Sequence, residues 1–87
     1  MLPSRPDVEK IICVLIAEVL SLRAAEVTPA KRLTEDLQAD DLDTMVICSE
    51  IEEEFDIELA DETVDGWMKN ANVTVDDIID RVHELTG

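Results

Sequence analysis

Aromatic side chains are almost absent. Phe55 and Trp67 are the only two in 87 residues, and there is no tyrosine. That removes the stacking platforms on which single-stranded nucleic acids are bound. Basic residues are also scarce: Lys and Arg total 7 against 22 Asp and Glu, for a formal charge of −15. Such a charge repels both a nucleic-acid backbone and an anionic membrane, so direct binding to either is excluded. No long hydrophobic run exists. The longest, Ile11 to Ala17, falls far short of the roughly 20 residues that span a bilayer. The two cysteines, Cys13 and Cys48, are too few for a disulfide framework. No basic stretch followed by an apolar segment and a small-residue cleavage site opens the chain. A reducing, cytoplasmic setting is the simplest expectation.

What is present is enough for one small domain. Hydrophobic residues make up 46% of the chain, which separates it from disordered acidic tails that cannot fill a core. The apolar spacing is helical throughout. Val8, Ile11, Ile12, Leu15, Ile16 and Val19 mark one face of a first helix, with Ser4 or Asp7 as its cap and Pro6 in its first turn. From Ser21 to Leu37 the pattern fades around Pro29, which predicts a long ordered loop with at most one short helical turn.

A second helix is expected from about Asp40. Leu42, Met45, Ile47, Cys48, Ile51 and Phe55 supply its apolar positions, and Asp40 or Asp41 caps it. A short third helix is expected over Asp61 to Met68, weakened by Gly66. The final helix has the clearest start: Thr74 at the N-cap with Asp77 three residues on, and Val73 placed to staple against Ile78. Its buried face is read as Val75, Ile78, Ile79, Val82 and Leu85, ending at Gly87. No segment alternates long enough to be a strand. The expected architecture is all-α, one domain over residues 1–87, with three longer helices and one short one in a bundle.

Catalytic chemistry has little to stand on. His83 is the only histidine and has no nucleophile near it in sequence. Cys13 and Cys48 sit among apolar helical positions with nothing basic nearby, which favours burial over reactivity. The stretch Asp61 to Gly66 imitates the opening of a calcium loop, with oxygen ligands at its first, third and fifth positions. It then fails, because its twelfth position is Asn72 where a bidentate Glu is needed. No metal site and no catalytic residue is assigned.

The informative stretch is Asp36-Leu37-Gln38-Ala39-Asp40-Asp41-Leu42-Asp43, continued by Glu52-Glu53-Glu54-Phe55-Asp56. It resembles the acyl carrier protein family, whose signature at this point runs Asp-Leu-Gly-Ala-Asp-Ser-Leu-Asp. The resemblance extends over nearly the whole chain and implies the family's four-helix bundle. In the family, the serine carries a 4′-phosphopantetheine arm through a phosphodiester. Asp41 stands at the matching position, and Gln38 replaces a glycine. A carboxylate cannot take the arm in that linkage, so no cofactor is expected on the chain as written.

The resemblance further implies partner recognition through the second helix. The matching positions are Asp40, Asp43, Glu52 and Glu53, with Leu42 as an apolar anchor. The partners it implies are proteins with basic patches, such as enzymes of fatty-acid, polyketide or lipid synthesis. Val46 stands where the family usually has a glutamate, and with Met45 it makes the middle of this face more apolar. Val46 facing a dedicated partner and Val46 packing on a neighbouring helix are equally compatible with the sequence.

Ile47, Ile51, Phe55, Leu59 and Val64 are the candidates to line the space in which family members hold an acyl chain. With no tether a packed core is expected there, and Trp67 is bulky enough to fill it. Like-charge repulsion makes a monomer the default and should make the fold more stable as salt rises. Two alternatives remain open on sequence: a genuine carrier whose serine was replaced by design, and an acidic nucleic-acid mimic that occupies the basic site of a DNA-binding protein.

Overall fold

A computed structural model describes residues 3–86; the expected helix end at Gly87 lies outside them. The first helix, α1, runs Arg5–Leu20. Ser4 caps it by accepting the Asp7 N–H at 3.4 Å, and Pro6 lies in the first turn, where a missing N–H costs nothing. Val8, Ile12, Leu15, Ile16 and Ala17 form its buried face. Ile11, expected with them, is only half-buried. The helix ends on Ser21 in the left-handed region (φ 58°), with the Leu22 N–H reaching back to the Ala17 carbonyl at 2.8 Å. That closure satisfies the carbonyls a helix end leaves free.

Three further helices follow: α2 over Asp41–Phe55, α3 over Asp61–Lys69 and α4 over Val75–Thr86. A short helical turn at Ala24–Glu26 is the piece expected after α1, and a second turn from Arg32 to Leu37 exceeds that expectation. α1 is central and packs on both α2 and α4, while α3 rests chiefly on α2. Ile12, Ile16, Ile47, Ile51, Ile78 and Ile79 are almost wholly excluded from solvent where these faces meet. Leu85 is the exception in α4. It is 41% exposed, at the mouth of a groove that it shares with Phe55 and Ile57. At the α1 N-terminus, Arg5 reaches across to Asp76 and Asp80 of α4, 2.7 Å from the latter. All three side chains are substantially exposed, so this clasp contributes little stability.

Between Ser21 and Asp40 the chain is far from loose. Val27, Leu33, Leu37 and Ala39 are all buried in the common core. Four backbone bonds stitch this stretch together and to the start of α4. Leu33 N–H donates to Val73 (2.9 Å), Val75 N–H to Lys31 (2.9 Å), Asp76 N–H to Pro29 (2.9 Å) and Ala39 N–H to Leu33 (3.1 Å). The carbonyls of Lys31 and Pro29 thus answer two of the free N–H groups at the α4 N-terminus. Thr74 and Asp77 answer the rest as a reciprocal capping box at 3.0 and 3.1 Å. A lone bridge between Arg32 and Thr74 is the only extended pairing among the described residues.

Asp61 to Gly66, the calcium-loop imitation, is helical. Successive oxygen side chains therefore leave the axis in different directions and cannot converge on one ion as a loop would bring them. Gly66 sits inside α3, and a Cβ added there would meet nothing within 4 Å. Gly66→Ala should therefore stabilise the fold by about 0.5–1 kcal/mol, by restricting the unfolded chain. Thermal unfolding should show a rise of a few degrees, and a fall would mean that α3 needs the glycine.

Candidate functional site

The stretch singled out in the sequence becomes a helical turn followed by a helix start. Residues Arg32 to Leu37 wind once: the Asp36 and Leu37 N–H groups both donate to the Arg32 carbonyl (3.0 and 3.1 Å). The turn closes with Gln38 in the left-handed region at φ 59°, and the Ala39 N–H returns to Leu33. Like the end of α1, the turn closes on a non-glycine residue in the left-handed region, though the returning N–H spans six residues here and five there. Asp36 locks the turn from outside. One of its oxygens accepts the Arg32 N–H at 2.8 Å and the Arg32 Nε at 3.3 Å. The backbone N–H first, then the guanidinium, hold the Asp36 carboxyl below its usual range. Its contribution is present above the ordinary carboxylate pKa and is lost as pH falls through the lowered value; solvent exposure keeps it small.

Gln38 is a side chain in a conformation that suits glycine. Gln38→Gly should stabilise the fold by about 1 kcal/mol, since an L-residue in this region costs that order of energy. Chemical denaturation checks it. A loss of stability instead would mean that the Gln38 side chain supplies contacts worth more than the backbone cost.

Asp40 is the N-cap of α2 and forms a capping box with Asp43. Asp40 Oδ1 accepts the Asp43 N–H at 2.8 Å, and Asp43 Oδ2 accepts the Asp40 N–H at 3.2 Å. The Thr44 hydroxyl is buried and donates to the Asp40 carbonyl at 3.0 Å. Asp41, the first residue of the helix, is exposed, and its carboxylate makes no hydrogen bond or ion pair among the described residues. It lies where the helix dipole favours negative charge. Just beyond it, Leu42, Met45 and Val46 are 68%, 55% and 40% exposed. Their i, i+3, i+4 spacing makes them one apolar patch rather than scattered surface residues. Val46 therefore faces solvent, and packing on a neighbouring helix does not account for it.

The acids read as a docking set are not equivalent. Asp40 and Asp43 already accept backbone N–H groups in the cap. Glu52 is turned back, and its Oε2 accepts the Leu59 N–H at 2.9 Å, holding the connection between α2 and α3. Only Glu53 is fully free at the surface. The apolar set divides as well: Ile47, Ile51 and Leu59 are buried, while Phe55 and Val64 are packed partly at its edge. Phe55 also faces a shallow groove with Asp56, Ile57 and Leu85 at the far end of α2. Trp67 is 8% exposed and belongs to the same core.

Over residues 10–82, the chain matches the family model described as phosphopantetheine attachment site. The chain belongs to that family. The match takes in the bundle from α1 to α4, so the architecture is an acyl-carrier-type four-helix bundle. The phosphopantetheine attachment site family gives the chain a carrier-type function, and 4′-phosphopantetheine is the group that the family binds.

Two features of this site are not announced by the residue motifs. One is the left-handed Gln38. The i, i+4 spacing of the buried pair Leu33 and Leu37, which marks a helical turn, was the available signal. The other is the inward use of Glu52, which no pattern of residue types announces. Of the two thiols, both expected to be buried, Cys48 is and Cys13 is only half-buried. Burial first, and Glu52 second, push Cys48 up to about 11. Half-buried Cys13 is raised by burial and then by Glu9. Both therefore stay protonated and weakly nucleophilic at neutral pH. No described helix is long and apolar enough to cross a membrane.

Proposed function

We propose that the chain is a non-loading carrier domain: it docks the basic surfaces of acyl-chain-synthesis enzymes but does not carry the arm. The observation that carries this reading is the free, exposed carboxylate of Asp41 at the first position of α2, where the resemblance places the family's serine. Attachment requires a hydroxyl as nucleophile. The Thr44 hydroxyl is buried and engaged with Asp40. Ser49 is exposed, but it lies two turns further along α2. The residues at this helix start therefore do not fit covalent attachment of phosphopantetheine, and the chain performs no chemistry of its own.

Docking rests on Asp41, the Leu42, Met45 and Val46 patch, and Glu53. The charges speed encounter and set specificity, and the apolar patch supplies the area that holds the complex. Asp41 also places one negative charge where a loaded carrier has its phosphodiester. The test is titration against a panel of acyl-chain-synthesis enzymes that bear basic patches. Binding should weaken about tenfold or more in Leu42→Asp, as expected for an interface anchor, and should fall with salt. Absence of binding across the panel, with recovery of nucleic-acid-binding proteins at moderate salt, would establish the acidic-mimic alternative instead.

A further inference from the structure

Between α1 and α2, away from the start of α2, lies an open groove of about 290 Å³. Ile11, Val14 and Leu15 of α1 make its floor, and Val14 is 39% exposed although it sits in the middle of the most apolar stretch of the chain. Glu18 flanks the groove from α1, and Glu50 and Glu54 flank it from α2. None of these three carboxylates makes an ion pair among the described residues. Lys10 is the single cation on the rim.

From Lys10 to Glu18 the α1 wall spans two helical turns, roughly 12 Å, and from Glu50 to Glu54 the α2 wall spans one. A groove of that form accepts a third helix by ridge-into-groove packing, with apolar side chains at i, i+3 and i+4 seated on the floor. The walls define the charge of the occupant. Three unpaired acids on both sides of an apolar floor complement an amphipathic helix whose apolar face is bordered by Lys or Arg.

We propose that the α1/α2 groove is a second docking site, for a basic amphipathic helix of a partner protein. It shares no residue with the docking surface proposed at the start of α2 and stands without that reading. Seated there, the helix covers Val14 and pairs its cations with Glu18, Glu50 and Glu54.

The probe is a synthetic Leu/Lys peptide with Leu at helical i, i+3, i+4, i+7 spacing. A scrambled peptide of identical composition serves as its comparison. At moderate salt, which suppresses non-specific attraction to so acidic a chain, the patterned peptide should shift the amide resonances of Ile11, Val14 and Glu50. It should bind at least about tenfold tighter than the scramble, the margin expected when a few anchors hold the interface.

Val14→Asp and, separately, the exposed pair Glu50→Lys with Glu54→Lys should each weaken binding by at least that factor. Glu62→Lys, an equal charge change per site on the exposed part of α3, should leave it within about twofold, since scattered surface charges contribute little. The charge pair decides the matter if Val14→Asp does not fold. Equal binding of the scramble overturns the proposal. So does a loss in Glu62→Lys matching that of the groove variants, or shifts gathered at Leu42 to Val46. Groove shifts that appear on concentrating the protein without peptide would also overturn it, by identifying a second copy as the occupant.

Discussion

Incubated with coenzyme A and a phosphopantetheinyl transferase, the protein should keep its intact mass, whereas Asp41→Ser should gain one arm. In the loading reaction a serine Oγ attacks the pyrophosphate of coenzyme A, loses its proton, and forms the phosphodiester as the nucleotide portion leaves. A carboxylate attacking the same phosphorus would form a mixed anhydride open to hydrolysis, not the stable ester. The geometry around position 41 argues that the substitution is sufficient. The residue is exposed, its backbone is already the first turn of α2, and the capping box between Asp40 and Asp43 fixes that turn without help from the 41 side chain. Intact mass spectrometry reads the result as all or none. An arm on the unsubstituted chain would sink the non-loading reading, and peptide mapping would then report whether Ser49 took it. An Asp41→Ser protein that stays unloaded would mean that the surface the transferase reads has been lost along with the hydroxyl.

Restoring the serine also separates mimicry from simple helix stabilisation. A carboxylate at the first position of a helix favours the dipole by about 0.3–1 kcal/mol, whatever else it does. If that were its whole role, unloaded Asp41→Ser would lose a little stability and no affinity for partners. Charge mimicry requires the opposite weighting. Unloaded Asp41→Ser should associate more slowly with a basic partner, and the loaded form should recover the rate, because the phosphodiester returns the charge.

The helices were legible because their signals are local. Ser4 with Pro6, Thr74 with Asp77, and the four-residue spacing of Ile47, Ile51 and Phe55 each specify structure within one or two turns. The attachment region was legible as a motif for the same reason. What the sequence did not disclose depends on partners distant along the chain. Glu52 reads as a docking acid until the backbone of Leu59 comes within 2.9 Å of it. Leu85 continues the apolar period of α4, but it opens onto a groove beside Phe55 and Ile57 and stays 41% exposed. The stretch from Ser21 to Leu37 carries no long periodicity, so it reads as a loop. Its order comes from Val73, Val75 and Asp76, some forty residues away, and from single apolar side chains set into the core one at a time.

Leu33 is the strongest of those anchors, and Leu33→Ala should cost about 2–5 kcal/mol, the range for truncating a fully buried leucine where the site cannot collapse. Total stability for a chain of this size is only about 5–15 kcal/mol, so the loss is a large share of the whole. The residue is 0% exposed, its N–H is bound to Val73, and its carbonyl receives the Ala39 N–H that closes the turn ahead of α2. Truncation therefore opens a cavity at a point where the backbone is pinned on both sides. In urea the midpoint should fall by about 1–2 M. Leu42→Ala, at a side chain 68% exposed, should move stability by less than about 0.5 kcal/mol. Amide exchange locates the damage: Ala39 and Val75 N–H groups should lose protection before the α1 interior does. A loss below about 1 kcal/mol at Leu33 would mean that the segment before the site is an ordinary mobile loop. Partners would then have to order it on binding. A loss in the expected range makes the segment part of the core, and Asp41 then stands on a backbone that is already rigid.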